Sequence, residues 1–187
     1  DERAIVRAFV ANVAGGDTQG GSTITQQLAK NLLVGTQNNY VRKTREMVIA
    51  SRIETVLSKD AILELYLNAI YFGRGAWGVE SAAQSYFGKL AAELTAGEAA
   101  LLAGLAKGPA YYSPDRRPDR ARERRAYVLN RMREEDVITA EQYDQALAEQ
   151  PALVARDMNR RTTGYHVVEH IRREASRLAD IKLLSED

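Results

Sequence analysis

Apolar residues recur at three- and four-residue spacing along most of this chain, the period of helices that bury one face. Residues 2–14 (ERAIVRAFVANVA) carry such a stripe and end at Gly15-Gly16, a plausible C-cap pair. A second helix is predicted from Thr23, where Thr23-x-x-Gln26 has the form of a capping box. A polar gap from Gly35 to Tyr40 separates it from a long helix over about 41–57, and Ser58 caps the next, through roughly Ala69. "FGRGAWG" (Phe72–Gly78) reads as a glycine-rich turn before a short helix to about Phe87. Thr95-x-x-Glu98 is another capping-box signature, opening an Ala/Leu helix that should be almost wholly buried. Pro109, Pro114 and Pro118 mark a loop, followed by an arginine-rich helix over about 119–134 and a capped helix from Thr139 to Glu149. Pro151 breaks the chain before a last amphipathic segment at roughly 164–180. There is no alternating strand pattern and no internal repeat. The predicted fold is mainly α, with 150–187 read as a linker or the start of a further module.

Composition fits that picture and narrows it. A length of 187 residues with 45% hydrophobic and 27% charged positions is that of a globular domain able to bury a core. The net charge of +1 gives no global field that would advertise nucleic acid. With no cysteine there is no disulfide framework, thiolate metal site or cysteine nucleophile. No stretch approaches 18 consecutive apolar residues, and no signal-peptide pattern opens the chain. The start, Asp-Glu-Arg, already reads as helix, so the expectation is a fragment whose anchor or export segment, if any, lies outside it.

The chemistry concentrates in "GGSTITQQLAKNLL" (Gly20–Leu33). At 100° per residue, Thr23, Gln27, Lys30 and Asn31 fall on one stripe, and Ile24, Leu28 and Leu32 form the neighbouring packing stripe. Gly20, Gly21 and Ser22 lead into open helix N–H groups, an anion-friendly arrangement. A polar face merely wetted by solvent accounts for the same spacing. On the next helix, Arg42, Glu46, Ile49, Ala50 and Ile53 share a face. A carboxylate on an apolar stripe needs a partner, and Arg42 and Lys43 stand four and three positions before it. It is either a structural ion pair or a carboxylate set up for acid–base or metal work. Two consecutive helices with polar groups beside their packing stripes suggest a shared cleft.

"GGSTITQQLAKNLL", "RKTREM", "SKDAILELYLNAIYFG", "GVESAAQSYFGK", "LTAGEAALLAGLAKGPAYYSP" and "RRAYVLNRM" resemble, in order and spacing, motifs two to five of the peptidoglycan glycosyltransferases. This is glycosyltransferase family 51, the polymerase domain of class A penicillin-binding proteins and monofunctional transglycosylases. The resemblance runs over about residues 1–149. It implies a lysozyme-like, two-lobed helical domain with a small membrane-facing jaw. The implied substrates are lipid II and a growing glycan strand, joined by an inverting β-1,4 transfer that releases undecaprenyl pyrophosphate. It also implies a periplasmic or outer-face location at the membrane surface, inhibition by moenomycin-type compounds, and no nucleic-acid partner. Carried over residue by residue, Gln27, Lys30, Arg42, Lys43 and Lys107 match positions lining the pyrophosphate and sugar cleft. Glu46 matches the second essential glutamate, acting on the donor side through the diphosphate or a bound Mg²⁺ or Mn²⁺. Ser22, Thr23, Asn31, Tyr66 and Asn68 match further motif positions, where support and substrate contact are both open. The family's first motif, Glu-Asp-x-x-Phe-x-x-His-x-Gly with the catalytic-base glutamate, would lie just upstream of Asp1. The expectation is therefore a chain that lacks the base and is inactive, or nearly so, within an active parent. Residues 150–187, with "RRTTGYHVVEHIRREA", resemble the linker towards a transpeptidase domain; no Ser-x-x-Lys occurs.

Three rivals remain. "HVVEH" (His166–His170) has the inverted zincin form, but these are the chain's only two histidines. Eight arginines between Arg116 and Arg133 could serve a basic helical nucleic-acid-binding module, read here as lacking an interleaved aromatic platform. A lysozyme-like glycan hydrolase would need a water nucleophile, whereas a cationic cleft favours a pyrophosphate donor. Of the aromatics, Tyr66, Tyr71, Phe72, Trp77, Tyr86 and Phe87 are expected mostly in the core, and Glu98 is expected to cap its helix.

Overall fold

The computed structural model describes residues 23–31 and 40–155. Among them the chain forms two compact units, one drawn from residues 23–31 and 40–70 and the other from 71–155. The expected helices at 2–14 and 164–180, the Gly20–Ser22 lead-in and the histidine pair lie outside the described residues.

In the smaller unit, α1 (Ile24–Ala29) packs on both α2 (Tyr40–Val56) and α3 (Lys59–Ala69). Thr23 is the N-cap of α1, its hydroxyl accepting from the Gln26 N–H at 3.1 Å. Ser58 does the same for α3, accepting from Ala61 at 3.2 Å, as its residue type predicts. The buried stripe of α1 is Thr25, Leu28 and Ala29 rather than Ile24 and Leu28. One residue of rotation separates the two readings. A six-residue helix offers too few apolar positions to fix the phase, and small Ala29 fits where neighbouring helices come close. Ile49 and Ala50 of α2 and Ile62, Leu63, Tyr66 and Leu67 of α3 complete that core.

The larger unit is built around α5 (Ala96–Ala106), buried from Gly97 to Leu105. Its capping box is complete: Thr95 Oγ1 accepts from Glu98 N at 3.1 Å, and Glu98 Oε2 accepts from Thr95 N at 2.9 Å. Around it lie α4 (Val79–Phe87), α6 (Pro118–Glu134) and α7 (Ala140–Ala148). Helix α6 offers Ala121, Arg125, Val128, Leu129 and Met132 to the interior, a helical period with one cation in it. Arg125 spends that charge on the C-terminal carbonyls of α7, donating to Glu149 O at 2.8 Å and Leu147 O at 3.2 Å. Burial lowers its pKa, opposed by the Glu149 carboxylate. Pro118, expected in the loop, is instead the first residue of α6, where its missing N–H costs nothing.

The reading of Phe72–Gly78 as turn alone needs correction. Tyr71–Gly73 (β1) and Ala76–Trp77 (β2) pair antiparallel as a hairpin. Strands of three and two residues are too short to alternate visibly. Arg74 and Gly75 both take positive φ, 52° and 77°, as a two-residue primed hairpin turn requires. A 3₁₀ turn at Ala91–Glu93 also lacked a signal.

Candidate functional site

The polar groups predicted from the two consecutive helices meet in the smaller unit. Glu46, on the packing face of α2, is 2% exposed. A carboxylate there must be partnered, and Lys43, one turn earlier, approaches Glu46 Oε2 at 3.2 Å. The Lys43 side chain keeps 43% of its exposure, so a buried anion holds a cation that is itself only partly buried. The same ammonium lies 3.5 Å from Gln26 Oε1 on α1. Lys43 thus bridges two helices, drawing on charge from one and an amide dipole from the other.

Gln26 was not singled out in the sequence, where it read as the second half of a capping box. Its amide oxygen faces Lys43, while Thr23 supplies the cap. An ammonium can only donate, so that amide oxygen must be the group turned towards it. The adjacent Gln27 is held from the third helix: the Tyr66 hydroxyl donates to Gln27 Oε1 at 3.1 Å. Tyr66 is 3% exposed, and burial pushes its pKa up to about 12, so it remains a donor at neutral pH.

Lys30 and Asn31, at the C-terminal end of α1, are exposed, as is Thr23. Thr23, Gln27, Lys43, Glu46 and Tyr66 therefore have structural places in one three-helix unit. Lys107 belongs to the larger unit, exposed at the C-cap of α5. Ser22 and the side chain of Arg42 lie outside the described residues.

Such an arrangement can bind anions. One ammonium is fixed by a buried carboxylate, a second stands exposed at the end of the preceding helix, and that helix also carries two amides. It does not fit a cation held by the protein. Glu46 already faces an ammonium, and no group of three His, Asp or Glu side chains converges among the described residues. None of the described helices is long and apolar enough to cross a membrane.

Two other carboxylates are structural. Glu98 closes the α5 box and accepts from Lys89 Nζ at 2.7 Å, a hydrogen bond that raises the lysine's pKa. Asp115 accepts from Nε and Nη2 along one guanidinium edge of Arg74, whose Nη1 donates to Ser85 O at 2.6 Å and Val154 O at 3.1 Å. Tyr66, Phe72, Tyr86 and Phe87 are buried as expected, but Tyr71 is 40% exposed, its ring tilted at 44° to that of Trp77 with centroids 5.0 Å apart.

Residues 1–133 match a family model described as Transglycosylase. Penicillin-binding protein 1A of Neisseria flavescens is 52% identical over 151 residues, 80% of this chain and 19% of that protein. The protein of the same name from Aquifex aeolicus is 55% identical over 148 residues, 79% of this chain and 20% of its own. The crystal structure of penicillin-binding protein 1A from Haemophilus influenzae matches with a TM-score of 0.55 and 31% identity, over 94% of this chain and 20% of that one. The chain spans about one fifth of the length of the curated relatives it matches.

Proposed function

Because this chain belongs to the transglycosylase family, we propose that it carries the donor-side groups of a peptidoglycan glycosyltransferase. In that reaction the 4-hydroxyl of an acceptor lipid II attacks the anomeric carbon of the donor strand. The new carbon–oxygen bond forms as the bond to undecaprenyl pyrophosphate breaks, with inversion. A general base takes the hydroxyl proton, and the departing pyrophosphate must have its growing charge neutralised.

The observation that carries the reading is the Glu46–Lys43–Gln26 bridge. A charge that develops during bond breaking is best met by a cation already in place, so that no reorganisation is needed at that moment. Glu46 touches Lys43, and its assigned work is to hold that ammonium against the leaving group. Lys30 supplies a second charge, and Gln27, pinned by Tyr66, supplies an oriented amide for phosphate or sugar oxygens. Arg42 and Lys107 are assigned to phosphate and sugar binding on the resemblance alone. A moenomycin-type phosphoglycolipid would occupy the donor position. A lipid-linked donor also places the work at the outer face of the cytoplasmic membrane.

The test is lipid II polymerisation by the full-length polypeptide. Glu46→Gln keeps the side chain's shape but removes the charge that anchors Lys43, and turnover should fall at least ~100-fold. Lys43→Met should fall comparably. Near-normal turnover in Glu46→Gln, with an unchanged melting temperature, would leave the pair a structural salt bridge and remove the assignment.

A further inference from the structure

The larger unit carries a second cationic arrangement, and it corrects the reading of the arginine run as free of aromatics. Arg117, Arg120, Arg124 and Tyr127 follow one another at spacings of three, four and three, so they share one face of α6. Tyr111 and Tyr112, from the preceding loop, stand against that face. The Arg120 guanidinium lies 4.3 Å from the Tyr111 ring centroid and that of Arg117 5.3 Å from it. Tyr112 braces Tyr111 edge-on, with centroids 4.9 Å apart and planes at 82°. Arg124 sits 4.5 Å from Tyr127 and 5.7 Å from Tyr112, its stem lying on Gly104 of α5. Tyr111 and Tyr127 are 49% and 41% exposed.

Folding alone does not ask for this arrangement. Arg117 is the N-cap of α6 and Arg120 lies in its first turn, the end at which the helix dipole disfavours cations. Among the described residues neither has a hydrogen-bonded or ion-paired carboxylate, whereas Arg122 pairs with Asp119 and Arg131 with Glu134 and Glu135. The contacts of Arg117 and Arg120 are with the Tyr111 ring, which takes none of the guanidinium N–H groups and leaves those for a ligand. Ring contact holds the guanidinium groups of the exposed Arg117 and Arg120 beside Tyr111, whereas Arg124 is partly buried with its Nε enclosed. All the cations between Gly108 and Gln150 are arginines. Planar forks match the paired oxygens of discrete carboxylates and phosphates, whereas a diffuse anionic surface is also met by lysine.

We propose that Arg117, Arg120 and Arg124, set on Tyr111 and Tyr127, form a binding surface for the free carboxylates of the peptide stems on the glycan strand. This rests on the reading of the domain as a glycan polymerase, whose substrate and product carry such peptides. The product repeats its carboxylates along the strand, so contacts too weak singly hold it by multivalency.

The experiment uses the full-length polypeptide and its Arg117→Gln/Arg120→Gln variant, both shown folded by thermal melting. Binding is measured to a soluble disaccharide–peptide fragment with its carboxylates free or amidated. Vesicles of anionic lipid and a single-stranded oligonucleotide serve as further probes. The double substitution and the amidation should each weaken fragment binding about fivefold, without adding to one another. Glycan strands made by the variant should be shorter, at an unchanged rate of first linkage. Equal binding of the amidated and free fragments would overturn the proposal, as would a variant deficient only towards vesicles or oligonucleotide. Failure of the wild type to polymerise, with fragment binding still dependent on Arg117 and Arg120, would remove the polymerase reading and leave the surface standing.

Discussion

Tyr66 shows how one hydroxyl ties stability to the candidate site. Its OH donates to Gln27, 39 positions away, from a site that burial has made costly for phenolate. The folded-state pKa of about 12 lies above the ordinary tyrosine value of 10.0, so folding favours the protonated form. The resulting stabilisation is complete below pH 10 and disappears as the pH rises from 10 to 12. A shift of that size corresponds to about 2–3 kcal/mol. Tyr66→Phe removes the titrating group and the hydrogen bond together. The variant should be less stable than wild type at pH 8, and its urea midpoint should fall less steeply between pH 10 and 12. An identical slope in the two proteins would show that Tyr66 is not the titrating group. Sequence alone ranks Tyr66 as core and Gln27 as polar face, but no spacing rule joins residues so far apart. Glu46 was legible because a carboxylate on an apolar stripe is a local contradiction. Its solution by Lys43, one turn earlier, is local too.

At the level of elements, legibility follows the range of the interactions that make them. The Ser58, Thr95 and Thr139 caps close within one turn, and each stands where its residue type predicts. The hairpin does not close so locally. It depends on Gly73 at φ 92°, where the backbone comes so close to Tyr86 that a Cβ would lie 2.7 Å from that hydroxyl. The same hydroxyl donates to Phe72 O at 3.0 Å, and Arg74 lies over the Tyr86 ring at 4.4 Å. Gly73→Ala would therefore strain the backbone and displace Tyr86 from its bond to β1. The expected loss is about 2–4 kcal/mol, seen as a lower urea midpoint with an unchanged slope. A loss under about 0.5 kcal/mol would mean that the hairpin adjusts freely. The aromatic partners of α6 escaped a reading confined to the run itself, because Tyr111 and Tyr112 enter from the preceding loop and reach the helix only in the fold.

Across the whole molecule, burial is distributed unevenly, and that sets where the chain opens first. Helix α5 is enclosed from Gly97 to Leu105, and Gly104 lets the Arg124 stem approach within 3.0 Å of where a Cβ would stand. Its amides can meet water only when the larger unit comes apart. Helix α2 is enclosed at Glu46, Ile49 and Ala50, but from Ser51 to Val56 only Ile53 is partly covered, and Val56 is 70% exposed. Amides with so little packing over them exchange by local fraying. In native-state hydrogen exchange, those of Ala99–Leu105 should be the slowest of the described residues and should track global unfolding as urea is added. Those of Arg52–Val56 should exchange much faster and be nearly insensitive to low urea. Amides around Glu46 should fall between, since the buried carboxylate must open with them. A ligand held by Lys43 binds only the closed helix pair, so it should slow exchange near Glu46 while leaving the α5 amides unchanged in the absence of urea. Equal protection of Glu46 and Val56 without ligand would mean that α2 opens as a unit, and that the carboxylate does not fasten its own turn.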